Sequence, residues 1–325
     1  ATGLRSHPQN LIRVMPAEGV VIDGTEDICA SVDSPPEPKE RAMTDTTTEA
    51  HAAPASGRDH RSGAWATLQA VRAGGPLVHS ITNLVVTNLT ANVLLALGAS
   101  PAMVENIEEA GELAAAADAL VINLGSMSAA RTEAMRTAAL AADLAETPWV
   151  LDPVAVGALS YRTGIARELL AHRPTAIRGN ASEIASLAGG DGGGKGVDST
   201  LDSAAVLDAA RQLARDTGAV VAVTGKVDRV TDGHRTLAIE NGHVLQTRVT
   251  GMGCSATAAI AACLAVADIA GADRLAATAH ALALFGFSAQ RAARGADGPA
   301  SFQVGLIDSL YGLTEAQVLA GVRIR

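Results

Sequence analysis

From residue 65 onward, short apolar runs alternate with segments whose apolar positions recur at helical spacing. Residues 119–124 are apolar between polar neighbours, and residues 219–224 are rich in valine. Both suit strands buried on two faces. Residues 77–80, 101–104, 149–152 and 176–178 read as further strands. Helices are predicted between them, over 65–73, 85–97, 107–117, 128–146, 165–170, 181–188 and 201–217. Asp232-Gly233 and Asn241-Gly242 are hairpin signals, so antiparallel strands are expected around them. Residues 244–249 read as extended, and the chain from Ser255 on as largely helical. The alternation predicts an α/β fold: a mostly parallel sheet with helices on both faces. Ligands of such sheets bind beyond the carboxyl ends of the strands. The polar residues there are Asn83, Asn123, Asp152, Arg178 with Asn180, Thr224, and the turn 251–254.

Residues 1–62 break this pattern. They hold half of the twelve prolines and no aromatic residue. A segment so poor in apolar side chains does not bury enough surface to offset its chain entropy. It is expected to be a disordered leader, with one folded domain over residues 63–325. Met43 offers an internal translation start, which would leave most of that leader out of the native chain. A native intact mass that begins before Met43 would exclude that.

Composition narrows the function. A net charge of −9 argues against nucleic acid and anionic membrane surfaces as partners. Cys29, Cys254 and Cys263 form no CxxC pair and no metal-ligand spacing. No stretch of about 20 residues has transmembrane character, and no basic segment followed by an apolar one opens the chain. A cytoplasmic protein is expected.

The richest chemistry lies in Thr250-Gly251-Met252-Gly253-Cys254. Two glycines before an alanine-rich helix let a ligand approach the backbone, and the helix start favours an anion such as phosphate. A plain tight turn is the alternative. Gly251-x-Gly253-x-x-Ala256 matches the dinucleotide fingerprint but stands late in the chain, with no second strand and acidic residue after it. Residues 189–196 carry glycine and Gly-Lys at phosphate-loop spacing, but Gly196 has no hydroxyl for magnesium; they read as a surface loop. Asp152, at a strand end, suits a magnesium ion or a helix cap. Arg178 is always cationic and suits a phosphate. Asn180 and Glu183 have the spacing of a capping box, and Glu183 could also serve a metal. Thr224-Gly225-Lys226 suits a nucleotide or a turn. Asn83 suits a polar heterocycle or a cap. His79 is expected to be structural.

Four motifs in register carry a resemblance: Val78-His79-Ser80-Ile81-Thr82-Asn83, Asp152-Pro153-Val154-Ala155-Val156-Gly157, Arg178-Gly179-Asn180-Ala181-Ser182-Glu183, and the 250–254 turn. Over residues 65–320 the chain resembles the hydroxyethylthiazole kinases of thiamine biosynthesis and salvage. The resemblance implies a ribokinase-like fold. It also implies phosphorylation of the primary alcohol of 4-methyl-5-(2-hydroxyethyl)thiazole, with ATP as co-substrate and Mg²⁺ as cofactor. It implies a homotrimer with active sites between subunits. Met103 and Gly251 correspond to thiazole contacts, with Asn83 a further pocket position, and Arg178 and Thr224 correspond to ATP contacts. Mg²⁺ is expected near Asp152 and Glu183. Cys254 stands where related sugar kinases carry an aspartate base. At a helix start its thiol pKa is expected to be lowered, so Cys254 would either orient the alcohol or deprotonate it.

Overall fold

The computed structural model describes residues 59–190 and 202–325. The expected leader up to residue 58, with Cys29 and Met43, lies outside the described residues, as do residues 191–201, which include most of the stretch 189–196 expected to be a surface loop. Eight described strands form one sheet: β1 Leu77–Ile81, β2 Ser100–Ala102, β3 Ala119–Asn123, β4 Trp149–Asp152, β5 Ala176–Asn180, β6 Val220–Thr224, β7 Asp228–Thr231 and β8 Thr236–Ile239. Their order is β2-β1-β3-β4-β5-β6-β7-β8. Pairing is parallel from β2 to β6 and antiparallel from β6 to β8. The connection from β1 runs one way to β2, and the next runs back past β1 to reach β3. This makes a topological switch point between β1 and β3, the place where open α/β sheets bind ligands.

The sheet is covered on both faces. Alternate strand residues point to opposite sides. Val121, Val150, Ala176 and Ala222 therefore join one core, while Leu120, Leu151, Ile177 and Val221 join the other. The second core is closed by α3 Ile107–Ala116, α4 Ala129–Leu144, α5 Ser160–Leu169, α6 Ala181–Leu187 and α7 Leu207–Thr217. The first is closed by α1 His60–Gly74, α2 Thr87–Leu97, α8 Met252–Ala265, α9 Arg274–Ala293, α10 Pro299–Tyr311 and α11 Glu315–Gly321. With aromatics at only 2% of the chain, small and branched aliphatic side chains fill both cores. α8 lies against β1, β3 and β4 and is flanked by α1, α2 and α9, so nearly all of its side chains are buried.

Several boundaries differ from those expected. α1 starts at His60, capped by the Asp59 side chain, inside the stretch assigned to the leader. β2 ends at Ala102, so Met103 and Val104 follow the strand rather than belong to it. α7 starts at Leu207, not at residue 201. Residues 244–248 are not extended but form a 3-10 turn, because His243 and Gln246 cap it reciprocally. Asn241-Gly242 is not a hairpin. The Asn241 side chain donates to Gln290 Oε1 and the Gly321 carbonyl, each at 2.9 Å, and accepts from Arg323 N at 2.7 Å. Antiparallel pairing of residues 323–325 with the end of β8, where Ile324 bridges Ile239, takes the place of the expected turn.

One buried group makes stability depend on pH. His280, on α9, is 2% exposed, and its Nδ1 lies 2.9 Å from Thr67 Oγ1 on α1. Its Nε2 has no hydrogen-bond partner among the described residues. Burial first, then His60 at its edge, outweigh the charge of Asp273 and press its pKa down from 6.5 to about 4. The unfolded chain therefore takes up a proton at this residue that the folded chain refuses. That contribution is intact above pH 6.5 and is lost as the pH falls toward 4, by roughly 3 kcal/mol. Urea unfolding at pH 7 and pH 4.5 is expected to differ less in His280→Gln than in the parent; equal pH dependence in the two would refute the assignment.

Candidate active site at the carboxyl edge of the sheet

The two-residue repeat of the strands builds the site. Val121, Val150, Ala176 and Ala222 lie on the side of the sheet that α8 covers, so the residues two further along project on the same side at the strand ends. These are Asn123, Asp152, Arg178 and Thr224, and the start of α8 comes down onto them. The chain enters α8 through Gly251, whose φ of +85° is the left-handed conformation that glycine adopts without cost. A side chain there would also strike Val86 of the loop before α2, at 2.7 Å. The first helical bond of α8 runs from Ser255 N to Gly251 O at 2.8 Å. The amides of Met252, Gly253 and Cys254 are therefore left at the helix start for an anion.

Arg178 closes the other side of this cradle. Its Nη2 donates to Thr224 Oγ1 at 2.6 Å. Its guanidinium lies so close to Gly253 that a β-carbon there would be 2.5 Å from Nη1. Asp152 is 1% exposed. Its Oδ2 accepts from Asn123 Nδ2 and from Thr257 Oγ1, each at 2.8 Å. Its Oδ1 has no hydrogen-bond partner among the described residues, and Arg178 Nη1 stands 4.0 Å away. Burial raises the Asp152 pKa against the pull of Arg178 and its hydrogen bonds.

The capping box of Asn180 and Glu183 is present. Glu183 Oε2 accepts from Asn180 N and Oε1 from Ala155 N, each at 2.9 Å. The second bond holds Ala155 at a φ of +61°, rare for a residue with a side chain, and so shapes the turn after Asp152. Burial first, then the nearby Asp152, push the Glu183 carboxyl up to about 7.

Cys254 lies in the first turn of α8, half-buried, and its Sγ receives Asn83 Nδ2 at 3.4 Å. The lowered thiol pKa expected from the helix start is not found. Burial, with the charge of Asp152 adding to it, drives the pKa up to about 11, because desolvation of a thiolate outweighs the helix end and Arg178. Asn83 follows β1 and also donates to Asn123 Oδ1 at 3.1 Å. Asn83, Cys254, Asn123 and Asp152 thus form one hydrogen-bonded row across the β1/β3 switch point. Met103 stands at the same end of the sheet, just past β2, where buried His79 bonds through Nε2 to Val104 O at 2.8 Å. This is the structural role expected of His79. Beside the row opens a cleft of about 690 Å³, lined among others by Leu84, Glu105, Ser126, Met127 and Arg131.

The structure thus gathers Asn83, Asp152, Arg178, Glu183, Thr224, Gly251 and Cys254 around the start of α8. Thr257 was not foreseen. Its signal was its spacing: three residues after Cys254, it shares that helix face one turn deeper. Asn88, five residues after Asn83, is exposed on α2 and bonded to Asn92.

A buried carboxylate oxygen without a donor, beside a second carboxylate, suits a hard cation with oxygen ligands. Among the described residues no group of three or more His, Cys, Asp or Glu side chains gathers to hold a metal. Mg²⁺ keeps waters and substrate phosphates as most of its ligands and is commonly held by one or two carboxylates. No helix of the described residues is long and apolar enough to cross a membrane.

Comparison with known proteins agrees with this geometry. A hydroxyethylthiazole kinase from Granulibacter bethesdensis is 57% identical over 261 residues, 78% of this chain and 94% of its own length. The solved structure of a hydroxyethylthiazole kinase protein from Pyrococcus horikoshii superposes with a TM-score of 0.73 at 41% identity, over 80% of this chain and 96% of that one. A ribokinase-like superfamily protein from Enterococcus faecalis shares the fold alone, with a TM-score of 0.52 at 11% identity over 79% of this chain and 90% of that one. The model of the hydroxyethylthiazole kinase family matches residues 68–316. The fold is ribokinase-like, and the chain belongs to the hydroxyethylthiazole kinase family.

Proposed function

We propose that this chain transfers the γ-phosphoryl group of ATP to the primary alcohol of 4-methyl-5-(2-hydroxyethyl)thiazole, as a step of thiamine biosynthesis or salvage in the cytoplasm. The observation that carries this reading is the anion cradle: three free amides at the start of α8 opposite Arg178, with Cys254 and Asn83 beside it. Phosphoryl transfer asks mainly for positioning and charge neutralisation, and this arrangement supplies both. The alcohol oxygen bonds to the γ-phosphorus as the bond to the β-phosphate oxygen breaks, and the alcohol proton leaves late, to an oxygen of the transferred phosphoryl group and then to water. Arg178, held by Thr224, binds the nucleotide phosphates, and the α8 amides take the charge that develops on the transferring group. Mg²⁺, when bound at Asp152 with Glu183 behind it, neutralises phosphate charge. Met103, Gly251 and Asn83 hold the thiazole. The homotrimer with sites between subunits follows from the family resemblance, and exposed Leu84, Val85 and Ile107 suit a contact between copies.

ADP release should depend on the thiazole alcohol and respond little to hydroxymethylpyrimidine or pyridoxal. Equal turnover with either of those would overturn the substrate assignment.

Cys254 is expected to orient the alcohol and not to deprotonate it. With a pKa near 11 its thiol keeps its proton at neutral pH, and a loose transition state needs little early deprotonation. Cys254→Ser should therefore keep activity within about tenfold, and Cys254→Asp should be tolerated, since general-base assistance is worth about 10²–10⁴-fold. A loss beyond about 10³-fold in Cys254→Ser, with nucleotide binding intact, would assign the base role to the thiol.

A further inference from the structure

We propose that Asn123 and Thr257 are positioning residues that lock the Asp152 carboxylate in one orientation, with Oδ1 presented to the cation and phosphates. The inference rests on the cation reading of Asp152 given above.

Two donors from different parts of the fold converge on one oxygen. Asn123 ends β3 in register with Asp152 at the end of β4. Thr257 reaches the same Oδ2 from the opposite side, out of α8. The other oxygen, buried as deeply, receives no donor from the described residues. Glu183 gives the contrast within the same site. It is 4% exposed, and each of its two oxygens accepts a backbone amide. The two bonds of Glu183 show how an interior meets both oxygens of a buried carboxylate, because an unmet acceptor there is costly. Asp152 is satisfied on one side only, and the unmet side faces Arg178 and the phosphate cradle.

Neither donor is free to turn away. Asn123 Oδ1 accepts from Gly125 N at 3.0 Å and from Asn83 Nδ2 at 3.1 Å. Flipping its amide would set an NH₂ group against two donors, so Nδ2 is bound to face Asp152. The Thr257 hydroxyl has two acceptors in reach, Asp152 Oδ2 at 2.8 Å and Gly253 O at 3.2 Å. The carboxylate is the closer and the stronger. Rotation of the carboxylate would break both bonds at once. Outer partners of this kind commonly change metal affinity by about 10–100-fold.

The test uses the full chain and a non-hydrolysable ATP analogue. Its dissociation constant is measured with Mn²⁺ and with EDTA, and the readout is the gain in affinity that Mn²⁺ brings. Thr257→Val removes the hydroxyl and keeps the shape. It should lose about 10–100-fold of that gain while leaving the affinity in EDTA unchanged. Thr257→Ser keeps the donor and should recover most of the gain. Asn123→Ala should lose it as Thr257→Val does, and should also raise the KM for the thiazole alcohol, because Asn83 loses its acceptor. An unchanged Mn²⁺ gain in Thr257→Val, or a Thr257→Ser that fails to recover it, overturns the proposal. Asp152→Asn separates the two levels. If it too keeps the full gain, the cation reading of Asp152 has failed; if it loses the gain while Thr257→Val keeps it, only the positioning role has failed.

Discussion

Asp152→Asn should lower kcat on the order of 10³-fold while moving the melting temperature little, because the charge of this carboxylate serves the reaction more than the fold. At neutral pH its burial works against stability. The folded-state pKa is raised above the unfolded value, so its contribution is full below the unfolded pKa and is lost as the pH rises through the folded one. Asparagine removes that burden. In exchange Arg178 gives up an opposite charge 4.0 Å away. The two effects oppose each other, and a net change within about 1 kcal/mol is expected. Calorimetry in EDTA, paired with single-turnover rates, checks both halves. A large fall in melting temperature together with the loss of rate would make Asp152 a structural residue.

Gly253→Ala should be nearly as damaging to activity and milder still to stability. The added methyl would sit 2.5 Å from Arg178 Nη1, the far end of a flexible side chain that can swing aside. The fold has no reason to collapse. The phosphate cradle loses its cation or its width, and removal of one such donor commonly costs about 10²–10³-fold in kcat. Arg178→Ala alone should cost about 10–150-fold through the lost charged contact. If the methyl acts by displacing Arg178, the double variant is no worse than the more impaired single one. Additive losses would mean that Gly253 matters for reasons apart from Arg178.

The parts of the site that the sequence revealed are those whose backbone announces itself. Glycines at a helix start, an aspartate closing an apolar strand, and an arginine-to-glutamate capping motif all stand at strand ends, and alternation of strand and helix tells which ends are functional. The 244–248 segment was misjudged because its valine and threonine favour strands, while His243 and Gln246 impose a turn through side-chain bonds that periodicity does not register. Asn241-Gly242 failed for a tertiary reason: its turn propensity yields to hydrogen bonds with residues some 50 to 80 positions away. The Cys254 pKa was misjudged because the helix end is visible in sequence, whereas the burial that outweighs it, and the Asp152 charge that adds to it, come only with the fold. Thr257 was hidden because a threonine inside an alanine-rich helix looks like packing.

The burial of α8 also decides where this chain can change its chemistry over evolutionary time. The turn proposed to hold phosphate is wedged between Val86 and Leu89 on one side and Arg178 on the other, and the helix behind it fills the middle of the first core. Almost any enlargement there meets core side chains or the Arg178 guanidinium. Leu84, Glu105, Ser126 and Met127 line an open cleft on the loops after β1, β2 and β3, where a new side chain displaces mostly solvent. New acceptor alcohols are therefore within mutational reach at the cleft, while the donor half is effectively frozen. A library built to broaden the acceptor range belongs on those three loops.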